Sequence, residues 1–272
     1  MLVRLSVGIS IFLGSVISQT SVAGEHEIKG SDTLFEVMTQ LIEQAELQGE
    51  MEYLGGGSST AARALLAGEQ NIAPMSRAMK PEEKQSAADQ GIELTETVVA
   101  LDSVNIFIRF NNLVKNLSVT DLADIYTCKV TSWSAYGGTG TIKPFARDDL
   151  SGTTEVFKKL TGAKEYGSCV TVVETSAEIA KKTASVSGSI GYAGSDAKNS
   201  TNKILAISSE AGADAYAPTI DNIRSFDYPL ARNLYIYWTA SLDDHESMIT
   251  DLILDREVLD PIVEAAGFIS VD

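Results

Sequence analysis

Ile142-Lys143-Pro144-Phe145-Ala146-Arg147-Asp148-Asp149-Leu150-Ser151-Gly152-Thr153-Thr154 decides the fold class. Its first five residues read as a short strand and the Asp/Ser/Gly cluster as a turn. The helix that follows carries Val156, Phe157 and Leu160 on one side and stops at Gly162. The same order appears twice upstream. Glu52-Tyr53-Leu54 feeds Gly55-Gly56-Gly57-Ser58-Ser59-Thr60 and then the helical run 61–67, closed by Gly68. Gly30-Ser31-Asp32-Thr33 precedes Leu34, Val37, Met38, Leu41, Ile42 and Ala45, which recur at helical spacing; Glu36, three residues after Thr33, suggests a capping box and a helix beginning at Thr33. A chain that keeps alternating strand, turn and helix is α/β.

The remaining segments agree. The β-rich runs 97–101 and 104–108 are split by Asp102-Ser103, so two strands meet there. Residues 121–126 read as a short helix, 133–140 as a Gly-rich loop, and Thr175 with Glu178 as a second capping box, whose helix ends before Gly188. Residues 234–238 form a late apolar strand, and 248–266 one or two helices interrupted by Pro261. No internal repeat appears.

The 272 residues, 44 % of them hydrophobic, are enough for one large domain or two lobes, and exclude disordered and disulfide-dense mini-protein classes. A net charge of −16 argues against nucleic acid or an anionic membrane as a general partner, since both need a basic face. It leaves room for a small anion held locally.

Arg4 is the one charge before Glu25. The apolar stretch 5–17 and the small-x-small pattern Ser21-Val22-Ala23 read as a secretory signal peptide, residues 1–23, too short to span the roughly 20 residues a bilayer requires. No cysteine stands at the cleavage point, so no lipid anchor is expected, and the chain reads as a soluble periplasmic protein. In an exported chain Cys128 and Cys169 suggest a single disulfide.

Enzyme signatures are sparse. His26 and His245 lack a second histidine at metal-ligand spacing and lie in no nucleophile motif, and two Cys with two distant His do not make a metal site. What stands out instead is hydroxyl-rich turns at helix starts: Ser31-Asp32-Thr33, Ser58-Ser59-Thr60 and Ser151-Gly152-Thr153. A helix start leaves several N–H groups unpaired and its dipole favours negative charge, so such an end can hold an anion, with short hydroxyls adding donors. Each turn alone is equally well an ordinary helix cap. Arg147, four residues before Ser151, adds a guanidinium, and Asp149 is placed to hold it; the alternative is an ordinary surface Arg-Asp pair.

Taken together, Gly30-Ser31-Asp32-Thr33-Leu34, Gly57-Ser58-Ser59-Thr60, Ile72-Ala73-Pro74-Met75-Ser76-Arg77-Ala78-Met79-Lys80, Arg147-Asp148-Asp149-Leu150-Ser151-Gly152-Thr153, Ile190-Gly191-Tyr192-Ala193-Gly194 and Tyr228-Pro229-Leu230-Ala231-Arg232 resemble the phosphate-binding subunits of ABC importers, in the family's order and over nearly the whole mature chain. The resemblance implies a type II periplasmic binding protein: two α/β lobes, each a mixed sheet flanked by helices, closing over one dehydrated phosphate. It further implies a receptor rather than an enzyme, without cofactor or metal, acting as a monomer with a membrane permease as partner. With crossings near 102–105 and 226–230, lobe one would comprise 24–104 plus 228–272, and lobe two 105–227.

The implied phosphate ligands are Thr33, the Leu34 N–H and Ser58 from lobe one, and Arg147, Ser151, Gly152 and Thr153 from lobe two, with Asp149 bracing Arg147. Some members of the family carry Asp at the position of Ser76, where it accepts the proton of hydrogen phosphate. This chain has Ser76-Arg77. Asp32 then either replaces that acceptor or caps the first helix, and Arg77 would add a second cation. The substitution keeps sulfate and molybdate as alternative ligands; an exported phosphate-ester hydrolase and an extracellular scaffold are the readings from other classes.

Overall fold

His26–Gly30 runs parallel to Met51–Gly56, and the helix Phe35–Gln44 makes the crossover between them. Along Met51–Gly56 buried and exposed residues alternate, as expected of a half-covered strand. Val37, Met38, Leu41 and Ile42 line one face of the helix and are almost wholly buried. Truncating Leu41 to alanine would cost about 2–5 kcal/mol through lost burial and a residual cavity. The computed structural model describes residues 26–197 and 201–271; the expected signal peptide, 1–23, lies outside them.

The described residues form two α/β lobes. In the first, the strand Ala231–Thr239 arrives last in sequence yet lies between Ile72–Met75 and Leu94–Ser103, antiparallel to both. Its apolar face joins Ile28, Leu34, Met38 and the terminal helices Asp244–Leu254 and Arg256–Ala265 in one core. In the second, five strands stand in the order Asn202–Ile204, Asn105–Arg109, Ser189–Ala193, Lys143–Ala146, Thr171–Val172. Ser189–Ala193 is buried along its whole length, the pattern of a central strand covered on both faces. Phe157 and Tyr192 stack at 4.1 Å between centroids in that second core.

Two connections join the lobes, and they are bonded to each other. Val104 donates its N–H to Leu230 O at 2.8 Å, and the Tyr228 hydroxyl donates to Val104 O at 3.0 Å. The Cys128–Cys169 disulfide forms, bridging residues 41 apart in sequence.

Three local readings change. The first helix is preceded by a 3-10 turn, Asp32–Leu34, capped by the Ser31 hydroxyl, which accepts the Thr33 N–H; Glu36 accepts from Gln40 instead of closing a capping box. The strands near the crossing part at Val104 rather than at Asp102-Ser103. The terminal helices break at Asp255, whose extended backbone and side-chain cap to Glu257 N start a new helix, while Pro261 sits inside that helix.

Candidate functional site

Two helix starts face each other across the cleft. Ser58 opens the helix Ser58–Leu66 in the first lobe, and Ser151 caps Gly152–Thr161 in the second. They approach so closely that a Cβ on Gly152 would stand 2.2 Å from Ser58 Oγ and 2.5 Å from Ser76 Oγ; one on Gly57, already at φ +91°, would stand 2.2 Å from Leu150 O. Glycine is required at both positions by the approach of the other lobe. The first-turn N–H groups of both helices thus converge, with their dipoles, on one spot between the lobes.

Hydroxyls and guanidinia complete the ring. Thr33 and Thr153 meet hydroxyl to hydroxyl at 3.3 Å across the cleft, and Ser58 Oγ accepts the Ser76 N–H at 2.9 Å with Ser76 Oγ 3.2 Å away. Ser151 Oγ accepts the Thr154 N–H. Arg147 leaves the end of Lys143–Ala146 and donates through Nη2 to Asp32 Oδ2 at 2.9 Å, from the other lobe. Its Nε is buried and has no hydrogen-bond partner among the described residues. A buried guanidinium N–H left unpaired is costly, so this atom points to an acceptor that belongs there.

Below the site, burial keeps two phenols neutral. Tyr53 donates to Ser31 O at 2.8 Å, and burial first, then the charge of Asp32, pushes its ionisation well above the usual range. Burial pushes Tyr192 up to about 12, against the opposing hydrogen bonds to Thr154 and Tyr166 and the positive charge of Arg147.

Of the residues expected to bind the anion, Thr33, Ser58, Ser76, Arg147, Ser151, Gly152 and Thr153 come together. Four expectations change. Asp149 does not brace Arg147; it is exposed and accepts from Lys158 at 2.6 Å, because its turn points it along its own helix. Asp32 takes that role from the opposite lobe; it does not cap the helix, a task that falls to Ser31, and its Oδ1 accepts the Gly56 N–H at 3.0 Å. The Leu34 N–H closes the 3-10 turn onto Ser31 O at 3.0 Å instead of pointing into the cleft.

Arg77 is the fourth. It grips Glu83 with both Nη atoms at 2.8 Å and lies with Nε against Glu155 Oε2. Glu155, near the start of Gly152–Thr161, also accepts from Ser59 Oγ at 2.6 Å and Lys80 Nζ at 2.7 Å, so this cluster straps the lobes together beside the anion donors.

Sequence reasoning missed Arg232 and Asp102. Arg232 Nε and Nη2 donate to Asp102 Oδ2 at 2.9 and 2.6 Å, and Nη1 donates to Thr153 Oγ1 at 2.9 Å. The signal was present: Asp102 directly follows the apolar run Val98-Val99-Ala100-Leu101 and Arg232 shortly precedes Leu234-Tyr235-Ile236, and charges set in such runs are buried only when paired.

Comparison with known proteins places the chain. The model of the PBP superfamily domain matches residues 16–251. The phosphate-binding protein PstS of Pseudomonas aeruginosa is 29 % identical over 259 residues, covering 87 % of this chain and 80 % of that protein. A Clostridium perfringens protein, described as a phosphate ABC transporter substrate-binding protein and solved with bound phosphate, superposes with a TM-score of 0.79 at 26 % identity, over 90 % of this chain and 99 % of the other. An ABC-type phosphate transport receptor from Vibrio cholerae superposes with a TM-score of 0.74 at 25 % identity, over 91 % and 100 %.

Proposed function

This chain belongs to the PBP superfamily, and from that premise we propose that it captures inorganic phosphate between its two lobes outside the cytoplasm and delivers it to the membrane permease of an ABC importer. It is a receptor, not an enzyme. The observation that carries the reading is the buried, unpartnered Arg147 Nε, set among hydroxyls and two opposed helix starts. In this reading Thr33, Ser58, Ser76, Arg147, Ser151, Gly152 and Thr153 surround the anion. Asp32 holds Arg147 until phosphate arrives, and its released oxygen then accepts the phosphate proton. The lobes, 24–104 plus 228–272 and 105–227, turn about the bonded connections at Val104 and Tyr228-Pro229-Leu230.

The energetics are adequate. About eight hydrogen bonds to a charged ligand, at roughly 1.5–3 kcal/mol each, give on the order of 10–25 kcal/mol before desolvation and ordering are subtracted. Micromolar affinity needs only about 8 kcal/mol. As long as Asp32 stays paired with Arg147 and Asp102 with Arg232, the lining is one of donors and also fits fully ionised sulfate; the Asp32 oxygen, once released, favours hydrogen phosphate.

Titration calorimetry of the ligand-stripped protein with phosphate, then sulfate, at pH 6 and 8 tests the reading. Tight phosphate binding that Arg147→Ala abolishes in a normally folded protein is expected. Failure to bind any tetrahedral oxyanion would refute it.

A further inference from the structure

Arg232 has no role in the anion ring just described, yet it is the most buried cation of the cleft, its side chain only 4 % exposed. It stands one residue past the start of Ala231–Thr239, beside the connection between the lobes. We propose that Arg232 is a positioning residue for the bound oxyanion, fixing the hydroxyls of Thr153 and Thr33 as donors from a station that Asp102 and Ser195 hold at the pivot. The proposal rests on the oxyanion reading of the site.

A guanidinium donates and never accepts. Thr153 Oγ1, 2.9 Å from Arg232 Nη1, therefore accepts from it, and the single hydroxyl proton of Thr153 has to point elsewhere. Thr33 Oγ1 lies 3.3 Å from Thr153 Oγ1 and 3.5 Å from Arg232 Nη2, so it too faces the cation with its oxygen. One of the two protons lies between the hydroxyls in this structure, and an anion seated beside them can draw both. A hydroxyl that already accepts from a cation is polarised and donates more strongly, so Arg232 strengthens the grip without touching the ligand.

The station itself is fully satisfied. Asp102, with no side-chain exposure, binds Arg232 through Oδ2; its Oδ1 accepts the Ser195 N–H at 3.0 Å and the Ser195 hydroxyl at 2.6 Å. Asp102 belongs to Leu94–Ser103 of the first lobe, and Ser195 follows Ser189–Ala193 of the second. These contacts sit beside the bonded connections, where relative movement of the lobes is least. Arg232 is thus held in place while Thr153 is carried to it as the cleft shuts, which keeps the ordering cost of binding low.

A double-mutant cycle on phosphate affinity tests this. Arg232→Gln and Thr153→Val are each expected to weaken binding about ten- to hundred-fold, the scale of one hydrogen bond to a charged ligand. The double variant is expected to lose far less than the product of the two single losses, because Arg232 acts mainly through the hydroxyl that valine lacks and otherwise only through the longer contact to Thr33. Losses that multiply instead would make Arg232 an independent structural ion pair and overturn the proposal. Arg232→Lys, which keeps the charge opposite Asp102, carries the same cycle should Arg232→Gln fail to fold. Ser195→Ala, outside the anion ring, is expected to weaken phosphate several-fold with only a small fall in the melting temperature of the ligand-free protein, that of one hydrogen bond lost by Asp102; unchanged affinity would refute the anchoring by Ser195. Wild-type protein is the control: if it binds no phosphate, the functional reading fails, whereas binding with multiplicative losses sinks this proposal alone.

Discussion

Adding one methyl group at Gly152 is the sharpest perturbation of the closed cleft. In Gly152→Ala the new Cβ would lie 2.8 Å from Ser58 Cβ and 2.2 Å from Ser58 Oγ, where ordinary contact begins near 3.4 Å. Ser58 Oγ cannot swing away freely, because it accepts the Ser76 N–H at 2.9 Å. With that oxygen held, the lobes must stand apart by about one ångström, which stretches the Thr153 contacts to Thr33 and Arg232. Overpacking of this kind costs about 1–3 kcal/mol, equivalent to a roughly 5- to 150-fold rise in the phosphate Kd. Within its own lobe the change is benign, since alanine favours a helix over glycine. The assay is titration calorimetry paired with thermal unfolding, with and without phosphate. The expected result is weaker binding, an unchanged melting temperature without ligand and a smaller rise with it. An unchanged Kd, or an equal fall in melting temperature under both conditions, would refute the reasoning.

Other consequences can be checked independently. Glu155→Gln removes the charge that Arg77 and Lys80 share across the cleft, so phosphate release in stopped-flow is expected to quicken several-fold; an unchanged rate would show that the strap contributes nothing. Reducing the Cys128–Cys169 bridge, whose partners are 41 residues apart, is expected to lower unfolding stability by about 4 kcal/mol in denaturant titrations, and an unshifted midpoint would count against its structural role. Burial raises the Tyr192 phenol from 10.0 to about 12, so its contribution to stability is complete below pH 10 and lost as pH climbs from 10 to 12. Unfolding midpoints measured from pH 8 to 12 should fall across that window, and less steeply in Tyr192→Phe; parallel curves would contradict the assignment.

Much of the fold was legible because its signals are local. Strand, hydroxyl-rich turn and helix succeed one another around Ser31, Ser58 and Ser151, and hydrophobic spacing alone locates the helix after Asp32. The limits of the elements were less legible. Whether Thr33 or Ser31 caps the first helix depends on where Asp32 is drawn, and Asp32 is drawn to Gly56 and to Arg147, 115 residues further along the chain.

The sequence by itself determined the α/β class, the helix starts that could hold an anion and the presence of Arg147 among them, since all of these follow from neighbours along the chain. Only the tertiary structure decided the pairings. Asp149, two residues from Arg147, turns to Lys158, while Asp32 reaches Arg147 from the other lobe. Arg77 engages Glu155 instead of the anion ring, and Arg232 meets Thr153 beside Asp102. The physical reason is that a buried charge must find its partner in space. Lobe closure brings together residues more than a hundred positions apart, and sequence spacing carries no measure of that distance.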